Sequence, residues 1–187
     1  MSKKNKVSAE IFDWIEMFVL SACLVLLCFT FIIRPAKVDG ASMQNTLYGG
    51  EVLLISDILY APERGDILVF QKVNSTHPDP IVKRVIATEG ETVDIDFDTW
   101  IVTITDKNGN SFSLDESEYR KLATDQRVTS DLEYPITVGE GQYFVMGDNR
   151  NHSLDSRSSQ IGLLDKNEII GKVLLRISPF NRFGTVK

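Results

Sequence analysis

The stretch 81-IVKRVIATEGETVDIDFDTWIVTIT-105 decides the fold. It holds three short runs rich in Val, Ile and Thr, at 81–87, 92–97 and 100–105, parted by 88-TEGE-91 and 98-DT-99. That is the pattern of antiparallel strands joined by turns. Outward from it, 52-VLLIS-56, 66-DILVF-70, 143-YFVM-146 and 170-IGKVLLRI-177 repeat the pattern between Gly, Pro, Asn and Asp. From residue 34 onward helical periodicity is confined to 116-ESEYRKLATDQ-126, which reads as one short surface helix. No internal repeat is present, and the body of the chain reads as mainly β.

The N-terminal end is different. Residues 17–33, MFVLSACLVLLCFTFII, carry no charge, and Ile11, Phe12, Trp14 and Ile15 lengthen the apolar run towards the span of a bilayer core. Asp13 and Glu16 then fall near the interface. Lys3, Lys4 and Lys6 precede the run, and the positive-inside rule places them in the cytoplasm, although Arg34 and Lys37 flank the other end. The domain reading is a cytoplasmic tail at 1–10, a transmembrane anchor at 11–33 ended by Pro35, and an extracytoplasmic domain at 34–187. A cleavable secretory signal ending at Ala36-Lys37-Val38 is the competitor, but its apolar region is long for a signal. Both readings put residues 34–187 outside the cytoplasm.

With 187 residues, 43% of them hydrophobic and 25% charged, the chain is neither wholly disordered nor a multi-span transporter. Residues 34–187 hold 17 Lys/Arg against 23 Asp/Glu, a net of −6, which argues against nucleic acid as a partner. Both cysteines, Cys23 and Cys28, lie in the apolar run, so the exported part has no disulfide framework and no cysteine metal site. Residues 89–140 hold 13 acidic and 4 basic residues. They read as a small acidic insertion or lobe, because the carboxylates lack the spacing of a calcium loop.

Three segments can carry chemistry. In 38-VDGASMQNTL-47, Gly40 permits a turn and close approach by another chain, and Ser42 follows among small residues that leave its hydroxyl accessible. Alone, such a serine reads equally as part of a structural turn. In 80-PIVKRVIATEGETV-93, strand alternation puts Lys83 on one face with Ile81 and Val85, and Val82, Arg84 and Ile86 on the other. Desolvation among apolar neighbours lowers a lysine's pKa to where it accepts a proton, whereas a snorkelling edge lysine stays charged. In 144-FVMGDNRNHSLDSR-157, alternating Asp, Arg and hydroxyl residues suit a paired polar network along a cleft wall. The two histidines, His77 and His152, leave open a Ser42/His152 pairing but make a zinc site a poor reading.

Taken together and in this order, the anchor, DGASMQNTL, 64-RGDILVF-70, VKRVIATEGETV and MGDNRNHSLDSR resemble the bacterial type I signal peptidases, with the short single-anchor form of Gram-positive members. The resemblance covers nearly the whole chain. It implies a signal-peptidase-type antiparallel β catalytic domain and a membrane-anchored serine endopeptidase that removes signal peptides from exported preproteins. Ser42 is then the nucleophile and Lys83 the general base. Asp148, Asn149, Arg150, Ser153, Asp155, Ser156 and Arg157 match the family's last motif. There Ser153 is expected to hydrogen-bond the lysine amine, and Arg84 to pair with Asp148. Asp155 and Arg157 support the site, while Gly40, Met43, Ile81 and Val82 are expected along the substrate cleft.

The resemblance calls for no metal and no organic cofactor, and its partners are preproteins and the lipids of the cytoplasmic membrane. Three positions depart from the usual pattern. Asn45 replaces the proline commonly found three residues after the nucleophile. Gly40 stands where Gram-negative members often place a hydroxyl, so the oxyanion should rest on backbone N–H groups, including that of Ser42. The Asn151-His152 pair is unusual but displaces no matched residue. Other readings are a self-cleaving repressor-type Ser/Lys peptidase, which would carry a DNA-binding domain in place of the helix, and an inactive membrane-tethered peptide-binding or scaffold protein.

Overall fold

In the computed structural model, Lys3–Phe31 form one α-helix, α1, of 29 residues, about 43 Å at 1.5 Å per residue. It stops ahead of Pro35, whose ring disfavours helical geometry at Arg34. The large apolar side chains described along it, from Ile11 to Leu27, are exposed. Among the described residues no helix is long and apolar enough to cross a membrane. The structure describes residues 3–58, 60–72, 79–121 and 130–186, and it divides the chain into two units, Met1–Arg34 and Pro35–Lys187.

Eleven strands follow among the described residues: β1 Arg34–Lys37, β2 Val52–Ser56, β3 Ile67–Phe70, β4 Ile81–Thr88, β5 Thr92–Asp96, β6 Ile101–Thr105, β7 Ser111–Ser113, β8 Ile136–Thr137, β9 Gln142–Met146, β10 Leu164–Asp165 and β11 Ile169–Ser178. Seven of them form one sheet in the order β1-β2-β11-β3-β4-β9-β10, and β7-β6-β5-β8 form a second. From β2 to β10 in the large sheet, and throughout the second, neighbouring strands run antiparallel. Strand β4 pairs with β3 from Ile67↔Arg84 to Phe70↔Ile81, and with β9 from Arg84↔Met146 to Thr88↔Tyr143.

The second sheet is the acidic stretch. Its strand β5 alternates buried Val93 and Ile95 with exposed Asp94 and Asp96, so one face is apolar while the carboxylates face water. That apolar face joins Val102 and Ile104 to Ile86, Phe144 and Met146 of the large sheet in one buried cluster. Each such side chain contributes about 1.5–3 kcal/mol on burial, so the lobe is packed onto the body of the domain.

All seven strand runs expected from the sequence are strands, with ends shifted by a residue or so. The short strands β1, β7, β8 and β10 were not expected. The surface helix expected at 116–126 is corrected over its described part: Arg120 N–H bonds Glu116 O at 2.9 Å in a single turn, and Lys121 then forms a bridge with Asn149. The chain leaves the helical path because the Lys121 backbone is committed to that bridge. Residues 122–126 of that expectation, and His77, lie outside the described residues.

Candidate active site

Lys83 sits where β4 leaves the protection of β9, one residue before that ladder begins at Arg84. It is 2% exposed, and its Nζ lies 2.8 Å from Ser42 Oγ and 2.9 Å from the Val82 carbonyl oxygen. Burial lowers its pKa to about 8; the negative charges of Asp155 and Asp148 oppose that shift and the positive charge of Arg157 assists it. Just above neutral pH the amine therefore loses its proton. With one N–H donated to Val82 O, the neutral amine has its lone pair free for the Ser42 hydroxyl.

Ser42 is half-buried in the loop between β1 and β2. Gly40 enters this loop at φ +80°, a conformation that favours glycine, and a Cβ there would meet nothing within 4 Å. The space before Ser42 is thus open. Asn149 holds the loop from the other side, its backbone N–H bonding Ser42 O at 2.9 Å and its Nδ2 bonding Ala41 O at 3.0 Å. No acceptor among the described residues takes the Ser42 N–H, which leaves it available to an incoming oxyanion.

Behind the pair lie three buried arginines, each held by a carboxylate. Arg84 donates through Nε and Nη2 to the two oxygens of Asp148, both at 2.8 Å, and through Nη1 to Gly65 O. Arg157 donates to Asp155 twice at 2.8 Å, and Asp155 also accepts the Gly147 N–H at 2.9 Å. Burial alone would raise the Asp155 carboxyl, but the bonds and charge of Arg157, with the Gly147 N–H, hold it below the ordinary range. Arg150, wholly buried, pairs with Glu116. Buried carboxylates left without these cations would be costly, so the pairs fix the wall in one arrangement.

The structure brings together the expected Ser42, Lys83, Arg84, Asp148, Asp155 and Arg157, and it joins Arg84 to Asp148 as expected. Ser153 requires correction. Its buried hydroxyl does not bond the lysine amine, which bonds Ser42 and Val82, and lies instead beside Asp155, whose carboxyl it helps to hold down. The reason is local: Ser153 follows the 3-10 turn Arg150–His152 in extended conformation, with its side chain packed over Gly147. Met43 is 2% exposed within the apolar cluster of Val38, Leu47 and Leu53, with Val82 at its margin, while Ile81 packs on a different cluster. His152 is exposed, and no hydrogen bond among the described residues joins it to Ser42.

Sequence reasoning missed Thr46, Glu51, Glu116, Arg176 and Arg182. Thr46 Oγ1 donates to Asp148, while Thr46 O accepts from Arg176 and Arg182, each at 3.2 Å, and both arginines also reach buried Glu51. These partners are up to 136 residues apart, so no local pattern marks them.

Comparison with known proteins bears on the same residues. Residues 11–178 match the family described as signal peptidase, peptidase S26. The chain is 36% identical to a signal peptidase I of Bacillus licheniformis over 187 residues, covering 96% of this chain and 93% of that protein. It is 31% identical to signal peptidase IB of Staphylococcus aureus strain COL, covering 93% of each. A solved signal peptidase I from Enterococcus faecalis V583 is 32% identical, covers 60% of this chain and 97% of that one, and has a TM-score of 0.44.

Proposed function

We propose that this chain, which belongs to the signal peptidase family, peptidase S26, and is a signal-peptide-cleaving peptidase, cuts with Ser42 as nucleophile and Lys83 as general base. The observation that carries the assignment is the 2.8 Å approach of a buried, readily deprotonated lysine amine to a serine hydroxyl beside an open turn. Neutral Lys83 takes the Ser42 proton as Oγ attacks the scissile carbonyl, and the Ser42 N–H donates to the oxyanion. The C–N bond then breaks, the leaving amine carries off that proton, and an acyl-enzyme remains. Lys83 next deprotonates a water that attacks the ester, and Ser42 regains its proton.

The substrate is an extended segment of an exported preprotein. Strand β4 supports this reading, because Ile81, Val82 and Lys83, paired with β3 on one side, lie beyond the end of the β9 ladder and offer on that side an edge unpaired among the described residues, where a peptide can add as a strand. The α1 helix is the membrane anchor of this proposal, with residues 1–10 cytoplasmic and 34–187 outside. Its support is the uncharged run 17–33 and the all-round exposure of Phe18, Leu20, Leu24 and Leu26, since a helix apolar on every face needs lipid or protein around it. The uncleaved reading is supported by Val38, which is 3% exposed in the core with Ala36 packed alongside, so cutting after Val38 would strip the core of a buried residue.

The test uses the full chain in detergent with a precursor bearing an Ala-x-Ala site. Cleavage is expected from the unmodified chain and from His152→Ala, and none from Ser42→Ala or Lys83→Ala. Full turnover by Lys83→Ala would overturn the dyad. Failure of Ser42 to react with a serine-directed acylating inhibitor would favour an inactive scaffold.

A further inference from the structure

The acidic lobe reaches the arginine scaffold of the dyad at each of its three members. Glu116 closes on Arg150, Trp100 lies under Arg157 with 5.6 Å between the guanidinium carbon and the ring centre, and Tyr119 lies on Arg84 at 4.1 Å. Trp100 is held in place at φ +61°, an uncommon backbone for a bulky residue, and its carbonyl accepts Arg120 Nη1 at 2.7 Å. Lys121 adds a backbone bridge, its N–H bonding Asp148 O at 2.7 Å and its carbonyl accepting the Arg150 N–H at 3.0 Å, while its amine reaches Gln44 Oε1.

We infer that Tyr119 is a positioning residue for the Ser42/Lys83 pair, acting through Arg84, and that the lobe is thereby a working part of the active site. The inference rests on the dyad reading. Arg84 directly follows Lys83 on β4, and its guanidinium is fixed in plane by Asp148 and Gly65. Those bonds leave its face free, and a tyrosine ring is an attractive cover for a guanidinium face, more so when desolvated. The ring is itself set by its hydroxyl on Glu116 at 3.3 Å, and burial, with the Glu116 charge, pushes the phenol well above its usual range, so it stays neutral.

The charged groups acting on Lys83 are Asp155, Arg157 and Asp148. Asp148 favours the ammonium, and Arg84 clamped against Asp148 offsets that pull. Uncovering the guanidinium face loosens its hold on Asp148, weakens that offset and so favours protonated Lys83.

The experiment compares the full-length chain with Tyr119→Leu and Tyr119→Phe on the Ala-x-Ala precursor, counting active sites with the acylating inhibitor and recording Tm. Tyr119→Leu is expected to lower kcat per active site by about tenfold at pH 7.5 with KM within about twofold, and to move the acid limb of kcat to higher pH. Tyr119→Phe, which keeps the ring face, should stay within about twofold of the original kcat. An unmodified chain that neither labels nor cuts would fail the dyad reading itself. With that chain active, three results would overturn the inference alone: an unmoved pH limb in Tyr119→Leu, a loss of activity explained wholly by fewer folded active sites, or a Tyr119→Phe defect as large as that of Tyr119→Leu.

Discussion

Thr46 and Asp148 stand 102 residues apart and are joined by a hydrogen bond from the threonine hydroxyl to the carboxylate. Because the same carboxylate holds Arg84, the residue after Lys83, this bond ties the loop of the nucleophile to the strand of the base.

Asp148→Ala should therefore lower stability and turnover together. Asp148 is fully buried, and its loss leaves the Arg84 guanidinium unpaired, at a cost on the order of 3 to 5 kcal/mol. Thr46→Val, which removes this bond and the long one from Arg84 Nη2 to the same hydroxyl at 3.4 Å, should cost about 1 kcal/mol while still slowing kcat. Denaturant midpoints and turnover on both variants check this; an Asp148→Ala protein of unchanged stability would contradict it.

The rate should fall on the acidic side with a midpoint near pH 8, where Lys83 gains its proton. A limb that appears only near pH 10 would mean that Lys83 is solvated during turnover.

The same depression makes Lys83 a burden on the fold. Between pH 8 and 10.5 the unfolded chain binds more protons at this site than the folded chain, so stability from this group rises with pH across that window. Below it the full penalty applies, roughly 3 kcal/mol at 1.36 kcal/mol per pKa unit. Lys83→Met should consequently be inactive yet more stable than the original at pH 7, with the gain shrinking towards pH 10.5. Urea melts at the two pH values give the comparison.

Gly147→Ala should disable the site by crowding. Its φ is ordinary, but a Cβ would strike the Ser153 side chain and come within 2.5 Å of Ser42 O, so either the serine loop or β9 must shift. Overpacking of this kind costs about 1–3 kcal/mol. Adding Ser153→Ala removes the clash with the hydroxyl, so Tm should partly recover; the Ser153 Cβ at 2.6 Å and the Ser42 carbonyl at 2.5 Å still crowd the new methyl, and turnover should not recover. Full recovery of turnover in the double variant would show that the Ser42 carbonyl can yield.

The central strands were legible because β-branched runs mark them, with Val85 and Ile86 in the continuously buried stretch of β4 and Val93 and Ile95 in the alternation of β5. Strands such as β7, with three exposed residues, and β8, with two residues, bury too little to leave that mark. The Ser42 and Lys83 segments were recognised through ordered motifs, whereas periodicity alone left both residues with bland readings. What stayed hidden is long-range pairing: Glu116 reads as one more acid in an acidic stretch, and only the fold shows it buried against Arg150, 34 residues away. The Ser153 hydroxyl was misplaced for the same reason, since motif position does not set the rotamer that Gly147 leaves room for.

Strand β11 lies between β2 and β3 in the large sheet, so the backbones of those two strands are hydrogen-bonded to it and not to each other. The backbone bonds of β2 and β3 on that side therefore wait on residues 169–178, which follow both in the chain, as the Thr46 carbonyl waits on Arg176 and Arg182. One late segment thus closes two ladders at once, and a substitution that weakens β11 should loosen the β2 side and the β3 side together.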